Sequence, residues 1–364
     1  MGAVATGVLA APAVPRQRDW DRLARRARIR RRVAYGVMVG LLLITSLPIL
    51  MPYFWMLTIS VSSRTGDVES VVLWKSLAAL VPAVFAFALL RATVQDRLWR
   101  LYGAIAIVAV CLFSLVVLIG AELHEQNYRF MWNPNIVEDI RGKSGAGGDR
   151  LPWVWSAFTN SLIFAFTQTV LVVTVATLAG YYISRFAFPG RSQFLQSLLV
   201  LHAFPAMSLI IPIFLLIYWA GLLDTIAGVV LVVATLELPF SIFIMKGFFD
   251  GVSWDIEMSA MTDGASRRQA FFTVVLPQVK VGILAIGVFA FIRGWEEYVF
   301  VRTLLIDKSN WVMSVYLFFV AEDIMDVDYG VVAAVGVLYV LPSLLLYIFC
   351  QKYLVQMTLG GIKG

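Results

Sequence analysis

Two cysteines and two histidines in 364 residues leave little room for metal or redox chemistry. Cys111 and Cys350 lie in separate apolar runs, so they suggest neither a disulfide framework nor a metal site. His124 and His202 have no paired-ligand spacing, and no H-E-x-x-H pattern occurs. No G-x-x-x-x-G-K-[ST] occurs either, so no P-loop nucleotide site is expected in this chain. Charge is scarce: only 14% of residues are Asp, Glu, Lys or Arg, well below the share of an ordinary soluble domain.

What the chain has instead is apolar length. Hydrophobic residues make up 60% of it, and the mean hydropathy is +0.83. Several runs reach the roughly 20 residues that carry a helix across a bilayer. The expected fold is all-α, a polytopic membrane protein of about eight transmembrane helices. The spans are expected near 33–60, 71–90, 101–122, 157–183, 194–219, 226–246, 279–295 and 329–350. Pro48 and Pro52 in the first are tolerable where neighbouring helices re-satisfy the backbone.

The ends and connectors set the topology. Residues 1–15 are small and apolar, but the basic region follows them, the reverse of a signal peptide. Residues 16–32 hold nine arginines and read as a cytoplasmic anchor in preference to a binding tail. The net charge of +6 sits beside spans, so membrane lipid is expected as a partner and nucleic acid is not. About 20 of the 29 Lys and Arg fall on segments expected to be cytoplasmic, with both termini on that side. The expected organisation is a basic tail at 1–32 and a first core span at 33–65. An inserted hairpin at 66–122 and a periplasmic loop at 123–156 follow. The core at 157–350 and a cytoplasmic tail at 351–364 complete the chain.

The longest polar interruption of the C-terminal half is 246–280, and it reads as ordered structure. Ser253 can cap a short helix, with Asp255 and Glu257 in its first turn. Gly264 suits its end, where a positive φ is common. Ser266 and Gln269 form a capping-box pattern that opens a second helix. That helix runs apolar through Phe271, Phe272, Val274 and Val275 to Leu276-Pro277. Two short helices at a cytoplasmic hinge suggest a docking surface for a soluble partner.

Polar residues inside the spans are the other candidates. Glu237 lies mid-span, where a carboxylate in hydrocarbon must face a cavity or a partner. It admits two readings, a translocation-path residue that contacts hydroxyls or a structural hydrogen bond. His202 reads first as a packed helix residue and second as part of the path. Asn160 and Gln168 can face a wet path or join helices.

The 246–280 stretch resembles the coupling loop of binding-protein-dependent ATP-binding-cassette (ABC) importer permeases, a Glu-Ala-Ala, three residues, Gly, then Leu-Pro some dozen residues on. Aligned on Asp263, Gly264, Ala265, Ser266, Leu276 and Pro277, the family's Glu falls on Met258 and its first Ala on Ser259. Only Ala260 is kept, and Glu257 sits one position early, about 100° round a helix. Arg185, Phe186, Phe188, Pro189 and Gly190 are similar to a family turn, as is the outer turn Gly221–Thr225. Trp295, Glu296, Glu297 and Tyr298 stand where sugar permeases of the maltose-type, MalG-like branch show Trp-Asn-Glu followed by Phe or Tyr.

The resemblance implies a six-helix importer core into which the 66–122 hairpin is inserted. It assigns ATPase coupling to Glu257, Ala260, Asp263, Gly264, Ala265, Leu276 and Pro277. Contact with the binding protein falls to Trp295, Glu297 and Tyr298, although Trp295 and Tyr298 read equally well as interfacial aromatics. The implied function is uptake of a sugar or polyol, such as a maltose-, trehalose- or glycerol-like solute. The chain would work as a non-enzymatic subunit in a bacterial plasma (inner) membrane. The implied partners are a second permease in a heterodimer, two ATPase subunits, and a periplasmic or lipoprotein solute-binding protein. The chain itself would bind no cofactor, ATP and Mg²⁺ belonging to the ATPases. The alternative is an ion-coupled secondary transporter, but no internal repeat is evident and the 246–280 hinge would have no purpose. An intramembrane enzyme is disfavoured by the scarcity of histidine.

Overall fold

In the computed structural model the described residues are 17–62, 69–120, 123, 125–133, 152–322 and 328–360. The first and last segments of the chain, the Gly-rich stretch near 143–150, Asp323 and Asp326 lie outside them, as does most of the tail from Leu359. The chain divides into two compact units, 1–58 with 65–123, and 59–64 with 124–364.

In the first unit, α1 (Gln17–Ser60) takes Pro48 and Pro52 inside the helix. Helices α2 (Glu69–Thr93) and α3 (Arg97–Ile119) form a hairpin joined by Val94, Gln95 and Asp96. Asp96 ends the turn chemically: its carboxylate accepts from the backbone N–H of Leu98 at 2.8 Å, an N-cap. No residue of α3 is buried, although the helix is strongly apolar. That combination is unstable in water and is what a lipid-facing helix shows.

The second unit is built on α4 (Val154–Arg185), α7 (Ile226–Asp250) and α10 (Lys280–Glu296), which pack on one another. Small residues set their spacing, as expected where packing rather than the hydrophobic effect holds helices together. A Cβ added at Gly180 on α4 would stand 2.8 Å from the Met245 Cβ and 2.9 Å from the Lys246 nitrogen of α7. One added at Gly294 on α10 would stand 3.2 Å from the Ala165 Cα of α4. Between α4 and α7 come α5 (Arg191–Ala203), a 3₁₀ turn at Ala206–Leu209, and α6 (Ile210–Trp219). After α7 come α8 (Trp254–Thr262) and α9 (Arg267–Gln278). The chain ends with α11 (Val299–Leu304), α12 (Met313–Ala321) and α13 (Tyr329–Gly360).

Two expected spans are broken. The one at 194–219 turns by 90° between Ala203 and Ala206, at Phe204-Pro205. Pro205 supplies no N–H, and the residue before a proline is pushed out of the α region, as Phe204 is at ψ 134°. The one at 279–295 begins with a 73° bend at Val279. Among the described residues five helices are long and apolar enough to cross a membrane, or seven when each bent pair is one span. The expected eight is not reached, because α1 offers only two shorter apolar stretches, Val33–Leu42 and Pro48–Ser60.

One end of this unit is laced by a turn that sequence reading treated only as a turn. Asp224 has φ 60°, a left-handed conformation that Asp tolerates better than most residues. Its Oδ1 accepts from the backbone N–H groups of Ile306 at 2.9 Å and Asp307 at 3.0 Å. Its carbonyl accepts from Asn310 Nδ2 at 2.9 Å. Asn160 Nδ2 donates to the carbonyls of Ser309 and Trp311, and the N–H of Met313 donates to Ser161 Oγ. The 305–313 segment is thereby pinned to α4 and to the start of α7. Asp224→Ala should lower the thermal stability of the purified protein by about 1–3 kcal/mol. Asp224→Asn, which keeps the Oδ1 acceptor and tolerates positive φ, should lose much less. Equal melting of the two variants would show that the carboxamide-compatible bonds are not what holds this segment.

Candidate functional site: the 246–280 hinge and a membrane-level cavity

The local expectations for 246–280 are met in detail. Ser253 caps α8, its Oγ accepting from the N–H of Asp255 at 3.3 Å. Gly264 stops α8 at φ 96°. The N–H of Ala265 bonds the Ala260 carbonyl at 3.0 Å and that of Gly264 bonds Met261 at 3.1 Å, the two bonds of a Schellman cap. Ser266 and Gln269 form the full capping box of α9. Within α9, Phe271–Val275 is a π turn that ends at Leu276-Pro277. Pro277 cannot donate to the turn behind it, which removes one α-helical bond where the wider turn occurs.

α8 is held to the end of α4 by a buried polar cluster. Glu257 is 0% exposed. Its Oε1 accepts from the Tyr181 hydroxyl at 2.6 Å, and its Oε2 lies 3.1 Å from Arg185 Nε. That ion contact is close, but the Nε–H is not aimed along it as a hydrogen bond. The same guanidinium donates through Nη2 to the Val252 carbonyl at 2.9 Å and lies 5.4 Å from the centre of the Trp254 ring. Ser184 donates to Asp250, and Lys246 pairs with Asp250 across one helical turn. Arg267 lies over the Phe186 ring at 5.0 Å. The turn after α4 and the hinge are thus one packed body.

This corrects the grouping of Glu257 with the docking residues. Its side chain faces the bundle, not the exposed side of α8. The reason is its register: one position early is about 100° round the helix, which turns it toward Arg185. The exposed tip consists of Asp263 and Gly264, with Ala260 and Ala265 half-buried. A Cβ at Gly264 would meet nothing within 4 Å, so this tip is open space. Leu276 packs partly on the core below, while Pro277 is exposed.

The assignment of Trp295 and Glu297 to an outer contact is also corrected, while Tyr298 keeps part of its surface exposed. Trp295 is 1% exposed, among Phe158, Phe291 and Tyr339, and its Nε1 donates to the Tyr339 carbonyl at 3.0 Å. Glu297 is 6% exposed; its Oε1 accepts from the N–H of Phe300 at 3.0 Å, and its Oε2 lies 3.6 Å from Arg293 Nη2. Tyr298 is half-buried against Phe318. These residues close the bundle where α10 ends: the Glu297 carboxylate takes a free N–H in the first turn of α11, and the Trp295 indole donates to a carbonyl of α13.

Of the expected path residues, two come together. Glu237 and His202 line a cavity of about 470 Å³ with Arg293 and Glu296. The His202 ring stacks on Phe240, 4.9 Å apart and inclined by 14°. Asn160 is elsewhere, strapping the 305–313 segment. Gln168 is fully buried where α4 meets Gly294 of α10, and neither polar atom of its side chain has a hydrogen-bond partner. Sequence reading missed Arg293 as a wall of the cavity and Tyr181 and Arg185 as partners of Glu257. An Arg and a Tyr four apart at the polar end of a span were the available signal for the latter.

A family model described as the binding-protein-dependent transport system inner membrane component matches residues 173–358. The chain belongs to that family. The match covers the hinge, the cavity and α13, and leaves α1 to α3 outside. The permease is 32% identical to the diacetylchitobiose uptake system permease protein NgcG of Streptomyces coelicolor, over 54% of this chain and 65% of that one. It is 31% identical to the maltodextrin transport system permease protein MdxG of Bacillus subtilis, over 57% of this chain and 75% of that one. To the trehalose transport system permease protein SugB of Mycobacterium tuberculosis it is 29% identical, over 57% and 77%. In fold it is similar to a chain of a bacterial ABC transporter involved in the import of the acidic polysaccharide alginate, with TM-score 0.60, 20% identity, and coverage of 94% of this permease and 99% of that chain.

Removing Glu257 would leave the Arg185 guanidinium, 6% exposed, buried without its counter-charge. Glu257→Ala in the permease should therefore cost about 3–5 kcal/mol of stability. An Arg185→Leu/Glu257→Leu pair should recover most of that loss, since neither charge is then stranded. The measurement is thermal unfolding followed by size-exclusion fluorescence. A double variant as unstable as Glu257→Ala would mean that the charge pair is not the source of the effect.

Proposed function

We propose that this chain is one permease subunit of an ABC importer for a saccharide or polyol, a maltose-, trehalose- or glycerol-like solute. The observation that carries the reading is the hinge: an ordered, capped helix pair with an open tip, anchored to α4 by Glu257 and Arg185. The relatives named as sugar-uptake permeases support the solute class. A second permease completes the membrane part as a heterodimer, two ATPase subunits sit under the hinge, and a periplasmic or lipoprotein binding protein delivers solute. ATP and Mg²⁺ are held by the ATPases, and this chain catalyses no covalent reaction. Both termini and the hinge face the cytoplasm, as the excess of Lys and Arg on those segments favours.

Coupling follows from the anchoring. Ala260, Asp263, Gly264 and Ala265 form the contact, and Leu276 and Pro277 fix the hinge that follows. Glu257 acts through α4 and does not touch the ATPase. A push on the tip of α8 moves α4 with it, because the buried cluster makes the two a single body. Such rigid-body shifts between packed arrangements are the usual means of switching. Glu237 and His202 contact solute hydroxyls on the way through.

Gentle solubilisation of a tagged chain should recover an ATPase, a second permease and a binding protein. Recovery of the chain alone, still transporting under an ion gradient, would replace this reading with a secondary transporter. Within the complex, Gly264→Asp should abolish solute-stimulated ATP hydrolysis and uptake while assembly persists in part. The added side chain and charge occupy the open contact, and the positive φ strains any non-glycine residue. Solute-stimulated hydrolysis at the unaltered rate would remove the tip from the coupling path.

A further inference from the structure

We propose that this chain carries its own solute subsite, in the cavity between α5, α7 and α10, and that the subsite sorts saccharides by charge. It accepts neutral or amine-bearing saccharides and rejects those that carry carboxylates. This rests on the import reading above and adds to it the location of the site and the sign of its selectivity.

The cavity, about 470 Å³, lies within the roughly 300–1,000 Å³ of small-molecule sites and has room for a sugar ring or two. Two carboxylates enter it from different helices, Glu237 on α7 and Glu296 on α10. Neither has a hydrogen-bond or ion-pair partner among the described residues. The one Lys or Arg in the lining, Arg293, is more than half exposed; its Nη2 lies 3.6 Å from the buried carboxylate of Glu297, and its charge also acts on Glu237. The fourth polar wall is His202, laid flat on Phe240. Set against Arg293 and Glu297, which offset each other, Glu237 and Glu296 leave the cavity with an excess of negative charge and of hydrogen-bond acceptors.

That inventory suits a polyhydroxylated ring. Each carboxylate offers two oxygens to sugar hydroxyls, while Phe204 and Phe240 offer apolar faces to the C–H side of the ring. A uronate would bring a further carboxylate to a partly apolar site where one guanidinium, Arg293, is already set against Glu237, Glu296 and Glu297, which is a repulsive element of the kind that gives specificity. A protonated amine would find two.

The test uses the whole transporter in nanodiscs without added binding protein, in a Cys111→Ser/Cys350→Ser background carrying Ala206→Cys as a reporter on the cavity wall. The reporter is reacted with a cationic (trimethylammonium) and an anionic (sulfonate) methanethiosulfonate, each rate divided by that for a free thiol. The cationic reagent should lead by about tenfold, and Glu237→Gln with Glu296→Gln should bring the ratio close to one. Maltose and the glucosamine disaccharide should each slow the labelling, and digalacturonate should not. If the Ala206→Cys transporter fails to assemble, Ile292→Cys on the opposite wall serves as the reporter. A ratio near one before the Glu changes, or protection by digalacturonate equal to that by maltose, overturns the proposal. So does the absence of protection by any of these in a transporter that takes up maltose with ATP. A transporter that imports no saccharide or polyol with its binding protein and ATP sinks the import reading first, and the subsite falls with it.

Discussion

A carboxylate removed from water has to be met by a cation or a donor, and in this permease that requirement fixes the working geometry. Glu257 has no solvent of its own. Tyr181 and Arg185, one helical turn apart on α4, supply a hydroxyl and a guanidinium to it. The arrangement costs desolvation on both sides, so as a source of stability it is modest compared with an apolar contact. What it provides is position. The guanidinium also reaches the Val252 carbonyl and the Trp254 ring, and so fixes the entry into α8 as well as its first turn. Everything proposed for coupling depends on α8 being unable to move without α4.

The three central helices approach closely for a related reason. In a bilayer the lipid is as apolar as leucine, and helices gain little by hiding apolar surface from it. Contact has to come from fit. Gly180 and Gly294 let backbones come within reach of their neighbours, and the exposed apolar side chains of α2, α3 and α5 are left for lipid or partner chains. The breaks fall where the backbone is chemically weak, at Pro205 and at Pro277 with its π turn. Broken helices at membrane depth are tolerated where they line a cavity or lie within protein. The Pro205 break does so: Phe204 and Ala206 belong to the wall that also holds Glu237 and Glu296.

At the opposite end of the second unit, the constraint is backbone satisfaction. The segment after α11 has only a single 3₁₀ turn, Lys308–Asn310, to occupy its N–H groups, so side chains take others. Asp224 takes two of them and Asp307 takes that of Ser309, which holds the Asp307 carboxyl below the usual carboxylate range. Glu297 takes the N–H of Phe300 in the same way, while Trp295 donates to the Tyr339 carbonyl. Aromatic and acidic residues beside a span end look like an outward-facing contact in the sequence, but here they complete the interior.

The sequence by itself determined the class, the membrane setting, the capped helix pair of 246–280 and the family. These depend on composition and on short-range chemistry. Apolar runs, a Ser and Gln three apart and a Gly at a helix end act within a few residues, so they can be read without knowing what lies across the bundle. Tertiary structure alone decided which way Glu257 faces, that Trp295 and Glu297 are interior, that Asn160 straps a loop while Glu237 and His202 share a cavity, and that Glu296 and Arg293 stand beside them. Each of those facts pairs residues far apart in the chain, often on helices whose rotation about their own axes no local pattern sets. Residues 257 and 258 differ by one place in the sequence and by about 100° on the helix. Only packing against α4 fixed which of the two would meet Arg185.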